Sequence, residues 1–329
     1  MYQASENRYD SMIYRKCGKN GLALSVLSLG YWHNFSQNDP YENARALTLK
    51  AFDSGINHFD LANRYGPPWG YAEEVFGKIF RNELSPYRDE ITVATKAGNP
   101  VLPGPLGRGG TRKHLLSQLD GSLKRLGMDY VDIFYHHSPD LEVPIEESMG
   151  ALVSAVHSGK ALYAAISAYA PDRAKACIDY LRSEKVPLLL HQPRYNMLDR
   201  SAEATGLLAL LENEGVGCIA FSPLAQGLLS GKYNNGIPAD SRIVRGSAFF
   251  NESHIEPELI EKVKALVPIA NARGQSISQM ALAWVLKHTA VTSVIIGVSK
   301  TSQIEENVKA LGNISFSDEE NAKIDSILG

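Results

Sequence analysis

The sequence predicts an α/β protein, a (β/α)8 TIM barrel, from three observations. Eight short runs of aliphatic and β-branched residues alternate with stretches of helical periodicity, the pattern of a parallel sheet with crossover helices. The first barrel run is followed by YWHNFSQND, whereas an open doubly wound sheet, the alternative, normally carries a glycine-rich dinucleotide fingerprint there. The 329 residues match one such barrel, so residues 1–329 read as a single domain.

The elements follow in order. Residues 13–16 and 22–24 form an N-terminal hairpin around Asn20-Gly21, a pair favoured in tight turns. Barrel strands are expected at 26–30, 56–62, 91–96, 131–137, 161–167, 188–192, 217–222 and 293–297. Helices are expected between them at 41–54, 72–80, 112–126, 144–157, 171–184, 202–214 and 302–310. Pro144 suits a first helical turn, where its missing N–H is not needed. A polar, glycine-rich loop covers about 223–253, and extra C-terminal helices follow at 257–273, 276–287 and 318–328. The last begins after Ser317 with Glu320 three residues on, a capping-box pattern.

Bulk properties exclude several function classes. The net charge of −3 shows no basic excess for nucleic acid or an anionic membrane surface. The three cysteines, Cys17, Cys177 and Cys218, are odd in number and widely spaced, so a disulfide framework or a zinc site is not expected and a reducing compartment is. No apolar run approaches the ~20 residues needed to span a bilayer. The polar start MYQASENRYD lacks a signal-peptide core, so a cytoplasmic protein is expected. A homo-oligomer is neither required nor excluded.

In a barrel, active sites lie where strands end and βα loops begin. Four chemically active side chains fall at such ends. Asp60 and Tyr65 follow the second barrel strand, Lys96 ends the third, and His137 or its neighbour His136 ends the fourth. A tyrosine hydroxyl titrates near ~10 in water, and a nearby ammonium is expected to lower that value. A buried lysine needs a carboxylate to stay charged, and Asp60 is the candidate. His137 would hydrogen-bond a substrate carbonyl. Singly, each has an ordinary explanation: a cap for Asp60, packing for Tyr65 beside Gly66-Pro67-Pro68, a surface role for Lys96. Together at three consecutive strand ends they point to a tuned general acid. Trp32 and Trp69, in the loops after the first two strands, would wall a small pocket.

At these residues the sequence resembles the aldo-keto reductases, from about Tyr14 to Leu328. HFDLANRYG, TKAG and VDIFYHHSPD resemble that family's second-, third- and fourth-strand motifs. The resemblance implies Tyr65 as general acid, Lys96 and Asp60 as its tuning pair, and His137 rather than His136 as carbonyl orienter. It also implies NADPH/NADP+ as cofactor. AAISAY implies Ser167 as a nicotinamide contact, with Ala168 in place of the family's usual Asn; HQPRYN implies Gln192. FSPLAQGLLSGKY implies Ser222, Leu224, Gln226, Gly227 and Lys232 on the pyrophosphate. IIGVSKTSQIEEN implies Gly297, Ser299, Lys300, Gln303, Glu306 and Asn307 at the adenosine end, and Trp32 and Asp60 complete the cofactor set. The implied substrate contacts are Trp32, Tyr65, Trp69 and His137.

Within the family, LGYWHNF, YGPPWGYAEE and AFSPLAQGLLSGKY look most like bacterial L-glyceraldehyde 3-phosphate reductases, relatives of the voltage-gated potassium channel beta subunits. That resemblance implies reduction of small aldehydes or ketones, L-glyceraldehyde 3-phosphate and methylglyoxal among them. Ser138 stands where several relatives carry Arg, so an anionic substrate needs another cation, from Arg64, Arg108, Arg242 or Arg245, and only a modest phosphate advantage is expected. Two other readings stand beside this one. The first is a nicotinamide-binding regulatory subunit with slow turnover. The second is a lyase or isomerase that uses Lys96 as a Schiff base. No metal-spaced ligand cluster is present, and a metal is not expected.

Overall fold

The computed structural model describes residues 2–238, Val244 and residues 255–329. An antiparallel hairpin, β1 (Tyr14–Lys16) and β2 (Ala23–Ser25), precedes eight parallel strands. These are β3 (Leu27–Gly30), β4 (His58–Asp60), β5 (Thr92–Ala97), β6 (Val131–His136), β7 (Ala161–Ser167), β8 (Leu188–Gln192), β9 (Gly217–Ala220) and β10 (Val291–Ile296). They close into a barrel in sequence order, with β10 pairing with β3, so no open edge remains. The helices are α1 (Tyr41–Asp53), α2 (Tyr71–Ile79), α3 (Arg112–Leu126), α4 (Ile145–His157), α5 (Pro171–Ser183), α6 (Ser201–Ala204), α7 (Leu207–Glu214), α8 (Pro257–Ala272), α9 (Ile277–Leu286), α10 (Thr301–Lys309) and α11 (Asp318–Leu328).

Several expected boundaries move, each for a local reason. Asn20-Gly21 does not make a two-residue turn: the hairpin loop spans 17–22, closed by Cys17 N–H donating to Leu22 O at 2.9 Å. Lys19 N–H bonds Gly215 O, which ties this hairpin to the turn before β9. The helix expected at 202–214 is broken into α6 and α7, because Gly206 takes φ +77°, which no helix continues through. Regular pairing in β4 stops at Asp60, although Leu61 and Asn63 amides still bond Ala94 and Lys96 carbonyls on β5. After α2 the chain continues in irregular helical turns through Phe80–Leu84 and Ser85–Glu90, beyond the expected end at 80. Residues 239–243 and 245–253 of the loop expected at 223–253 lie outside the described residues; its start makes tight turns over Ala225–Ser230. The capping box at Ser317 and Glu320 forms as the sequence predicts.

Two apolar layers result. Residues that alternate along the strands put Ala94, Ile133, Tyr135, Ala165, Leu190, Ile219 and Ile295 in one buried cluster, together with Cys17 and Leu24 of the hairpin. Residues of opposite parity, such as Phe59, Val93 and Phe134, pack outward against the helices in a second, larger cluster. Small residues set the spacing at two places. A Cβ on Gly30 would lie 2.5 Å from Ile295 Cγ2 inside the barrel. One on Gly77 would lie 2.5 Å from the Arg125 and Leu126 carbonyl oxygens, where α2 crosses the end of α3.

Gly77 therefore gives a prediction whose sign is diagnostic. In an exposed helix, Gly→Ala stabilises by about 1 kcal/mol. At this crossing Gly77→Ala is expected to destabilise by about 1–3 kcal/mol, because the new methyl meets backbone that has no rotamer to yield. Denaturant unfolding measures it, and a variant more stable than the parent would show that the two helices are not in this close contact.

Candidate active site

The alternation that builds the barrel interior also delivers the polar residues to one mouth. Asp60, Lys96, Ser167 and Gln192 stand at or beside the C-terminal ends of β4, β5, β7 and β8, all buried. Lys96 shows no solvent exposure, 0%, and Asp60 2%. Lys96 Nζ donates to Asp60 Oδ2 at 2.7 Å, to Leu61 O at 2.9 Å and to Tyr65 Oη at 3.3 Å. Three acceptors around one nitrogen use the three protons of an ammonium. Burial pulls the Lys96 pKa down, and the Asp60 charge and hydrogen bond oppose that pull. Gln192 Nε2 donates to the other Asp60 oxygen at 3.0 Å. The carboxylate is thus held from both sides.

Tyr65 lies in the loop after β4, which turns through Gly66 at φ +69° and a cis Pro67-Pro68 peptide. A Cβ on Gly66 would lie 2.8 Å from Phe35 O, so the turn needs glycine on both counts. Burial, then the Asp60 charge, pushes the Tyr65 phenol well above its ordinary value. The expected lowering by Lys96 is therefore not met in the free protein. Desolvation is the first reason, and Asp60, 2.7 Å from the lysine nitrogen, is the second, so the phenol meets an ion pair and not an isolated cation. The phenol stays protonated, with Lys96 Nζ already directed at its oxygen.

His137 lines the same cavity, its ring centroid 5.7 Å from that of Tyr65 and nearly perpendicular at 77°. Pairing in β6 ends at His136, one residue earlier than expected, and His137 N–H still donates to Ala97 O at 2.8 Å. His137 shares the inward parity of Ile133 and Tyr135. His136 has the outward one, fully buried, with Nδ1 on the Tyr169 hydroxyl at 2.6 Å. Burial first, then the Lys96 charge, holds the His137 pKa well below 6.5. A neutral imidazole has one N–H to give and no charge to share.

These side chains open onto a cleft of about 560 Å³ that crosses the barrel mouth. Trp32 and Trp69 line it, the Trp32 ring 6.5 Å from that of Tyr65. So do Ser167, Gln192, Ser222, Leu224, Gln226, Gly227, Lys232, Gly297, Ser299, Lys300 and Gln303. Glu306 and Asn307 do not; they lie farther along α10, where Asn307 is buried and Glu306 O accepts from Gln279 Nε2. At the start of α10, Gln303 Oε1 accepts from the Ser299 amide at 2.7 Å and the Lys300 amide at 3.3 Å. Ala168 lines the cleft at φ +61°, a left-handed conformation that Asn tolerates better than Ala.

Of the four cations considered for an anionic substrate, Arg64 lines the cleft. Arg108 is exposed and does not; Arg242 and Arg245 lie outside the described residues. Sequence reasoning missed Phe221, Arg194 and Asn99, which also line it. Phe221 has the inward parity of Ile219 two residues earlier, a signal that was available. Arg194 and Asn99 follow strand ends in loops, where no periodicity marks them. Among the described residues, no group of three or more His, Cys, Asp or Glu could hold a metal ion, and no helix is long and apolar enough to cross a membrane.

A search by family finds the aldo/keto reductase pattern over residues 26–329. The chain belongs to the aldo/keto reductase family. It is 53% identical to the L-glyceraldehyde 3-phosphate reductase of Escherichia coli K12 over 331 residues, covering 99% of this chain and 95% of that one. It is 39% identical to a probable voltage-gated potassium channel subunit beta of Arabidopsis thaliana over 308 residues, 91% of each chain. A putative subunit beta of Schizosaccharomyces pombe is 37% identical over 325 residues, covering 96% of this chain and 93% of that one. Family and reductase relatives together support an oxidoreductase.

In this aldo/keto reductase the strands also carry three histidines kept neutral by burial. His58, His136 and His191 are each pushed down to about 4, desolvation being the first cause. Their bonds suit the neutral ring, as between His58 Nδ1 and Ser28 Oγ at 2.9 Å. A depressed histidine pKa means that the unfolded chain, with pKa ~6.5, takes up protons first as pH falls. Stability is full above ~6.5 and is lost as pH falls through the window down to about 4. At pH 5 the expected loss is on the order of 1–2 kcal/mol per histidine. Urea unfolding at pH 7.5 and pH 5 measures it; equal midpoints at equal m-values would show that these rings are not buried neutral.

Proposed function

We propose that this chain is an NADPH-dependent reductase of short aldehydes and ketones, with L-glyceraldehyde 3-phosphate and methylglyoxal among its substrates. The observation that carries the reading is the hydrogen-bonded chain Asp60–Lys96–Tyr65 facing His137 across one cavity. The cofactor is tested against the cleft itself. The cleft runs from Tyr65 and His137 to Ser299 and Lys300, an elongated space for a dinucleotide with its reactive end beside the phenol. At its far end Gln303 Oε1 already occupies two backbone N–H donors beside Lys300, where a phosphate oxygen would find the same donors. Ser167 and Gln192 would hold the nicotinamide end, with Phe221 as a flat apolar wall. Ser222, Leu224, Gln226, Gly227 and Lys232 would hold the middle.

The bound cofactor would supply hydride to the carbonyl carbon. The remaining work falls to the chain. His137, neutral, would donate its N–H to the carbonyl oxygen and fix its direction. Tyr65 would give its proton to that oxygen as charge develops there. The Lys96 ammonium, aimed at the phenol oxygen, would stabilise the phenolate so formed, while Asp60 and Gln192 hold the ammonium in place. The Schiff-base alternative fits poorly: Lys96 is fully buried and all three protons are engaged, so its nitrogen offers no lone pair. Similarity to channel beta subunits keeps the slow-turnover reading as an outcome of the experiment. A cytoplasmic location and a single catalytic domain accompany this proposal.

Two measurements test it. Tyr65→Phe is expected to lower kcat by about 10²–10⁴-fold, the range for losing a general acid, with cofactor affinity nearly unchanged. NADPH oxidation with methylglyoxal and glyceraldehyde reads this directly, and a variant with parental kcat removes Tyr65 from the chemistry. A wild-type turnover far below 1 s⁻¹, the low end for typical enzymes, across such aldehydes would favour the regulatory reading. Lys300→Ala is expected to weaken NADPH by roughly 1.5–3 kcal/mol, the worth of a charge-assisted bond, and NADH hardly at all. Equal losses by fluorescence titration would show that Lys300 does not read the 2′-phosphate.

A further inference from the structure

The cation left open by Ser138 is in the wall of the cleft. Arg64 precedes the proposed proton donor directly, and its guanidinium lies 5.2 Å over the Trp69 ring. It is partly buried, and among the described residues it makes no ion pair and no hydrogen bond. Other cleft cations are accounted for differently. Arg194 has Asp199 at 4.0 Å, and Lys300 stands at the start of α10. Arg64 also belongs to the reacting end: its charge acts on the His137 ring. Its strand, β4, is separated in the barrel order by β3 and β10 from β9, whose loop carries Ser222 to Lys232. A partly buried guanidinium on the cleft wall, with five donors and no ion pair among the described residues, is open to an anionic ligand.

A second group faces the same region. Ser138 Oγ donates to Asn99 Oδ1 at 2.9 Å, and both line the cleft. That bond occupies the amide oxygen and leaves the Asn99 NH2 as the part with donors to offer. Ser138 therefore acts here as an orienter of Asn99. Arg64, Asn99 and His137 thus bring donors to the cleft that Tyr65 also lines, with the Arg64 guanidinium over the Trp69 ring.

We propose that Arg64, assisted by Asn99, is the anion-binding end of the substrate subsite, and that it selects short aldehydes bearing a phosphate. The inference rests on the reductase reading and names the substrate class of that site. Arg64 is a specificity residue: it binds the far end of the substrate and takes no part in proton transfer.

The test compares kcat/KM for glyceraldehyde 3-phosphate and glyceraldehyde, with NADPH, in wild type, Arg64→Met and Arg64→Lys. The ratio of the two values is expected to fall at least tenfold in Arg64→Met, mostly through KM, and to recover in part in Arg64→Lys. A ratio unchanged in Arg64→Met overturns the proposal while leaving the reductase reading standing. A second readout is independent of turnover. Trp69 is one of three tryptophans and lies under the guanidinium, so inorganic phosphate is expected to change the emission of wild type. The change should be lost in Arg64→Met and in Trp69→Phe. A wild type that reduces neither aldehyde overturns the reductase reading, and the phosphate titration then decides Arg64 alone: a response that persists in Arg64→Met, or none in wild type, overturns it.

Discussion

The buried ion pair between Lys96 and Asp60 is the constraint on which the rest of the site depends. Both groups sit in the barrel interior at 2.7 Å, each the counter-charge of the other. Their geometry is nearly fully used: three acceptors surround the ammonium, and Gln192 takes the second carboxylate oxygen. Such a pair contributes little to net stability compared with apolar packing of the same volume. What it fixes is position. The phenol oxygen of Tyr65 is placed relative to Lys96, and Asp60 and Gln192 bind strands on opposite sides of the barrel into one network.

The same pair changes the account of how the tyrosine is tuned. A lone ammonium beside a phenol would make it acidic. Here the ammonium is matched by a carboxylate at 2.7 Å, and burial dominates, so the phenol holds its proton in the free protein. That is the state a proton donor needs before reaction. In the proposed reaction, stabilisation by Lys96 would become effective only as negative charge develops on the tyrosine oxygen, which is where an interaction contributes to rate. A neutral His137 complements this, since a charged ring beside Lys96 and Arg64 would add a third cation to a nearly dry space.

Barrel closure explains why so few residues carry the site. Each strand contributes interior side chains at every second position, and eight strands converge on one mouth. Where two strands approach, Gly30 leaves the space that the Ile295 side chain fills, and both residues line the cleft. The loops then add what strands cannot: Trp32, Tyr65 and Trp69 from the first two, and Ser222 to Lys232 from the seventh. Ser299 and Lys300 come from the eighth.

By itself the sequence determined the alternation of strands and helices, the absence of a glycine fingerprint, and the appearance of Asp, Lys and His at successive strand ends. These are local or periodic properties, and periodicity survives without coordinates. It also carried the family resemblance in contiguous motifs. It did not determine which of His136 and His137 faces inward without that resemblance, because parity along a strand is relative until one residue is anchored to the interior. It did not place the break at Gly206, since a left-handed glycine and a helical one are the same letter. Nor did it give the direction of the Tyr65 shift, which depends on burial and on the distance between Lys96 and Asp60. The status of Arg64 belongs to tertiary structure as well. An arginine in a loop reads as solvated until the fold shows it resting on Trp69 at the reacting end of a cleft, with no anion of its own among the described residues.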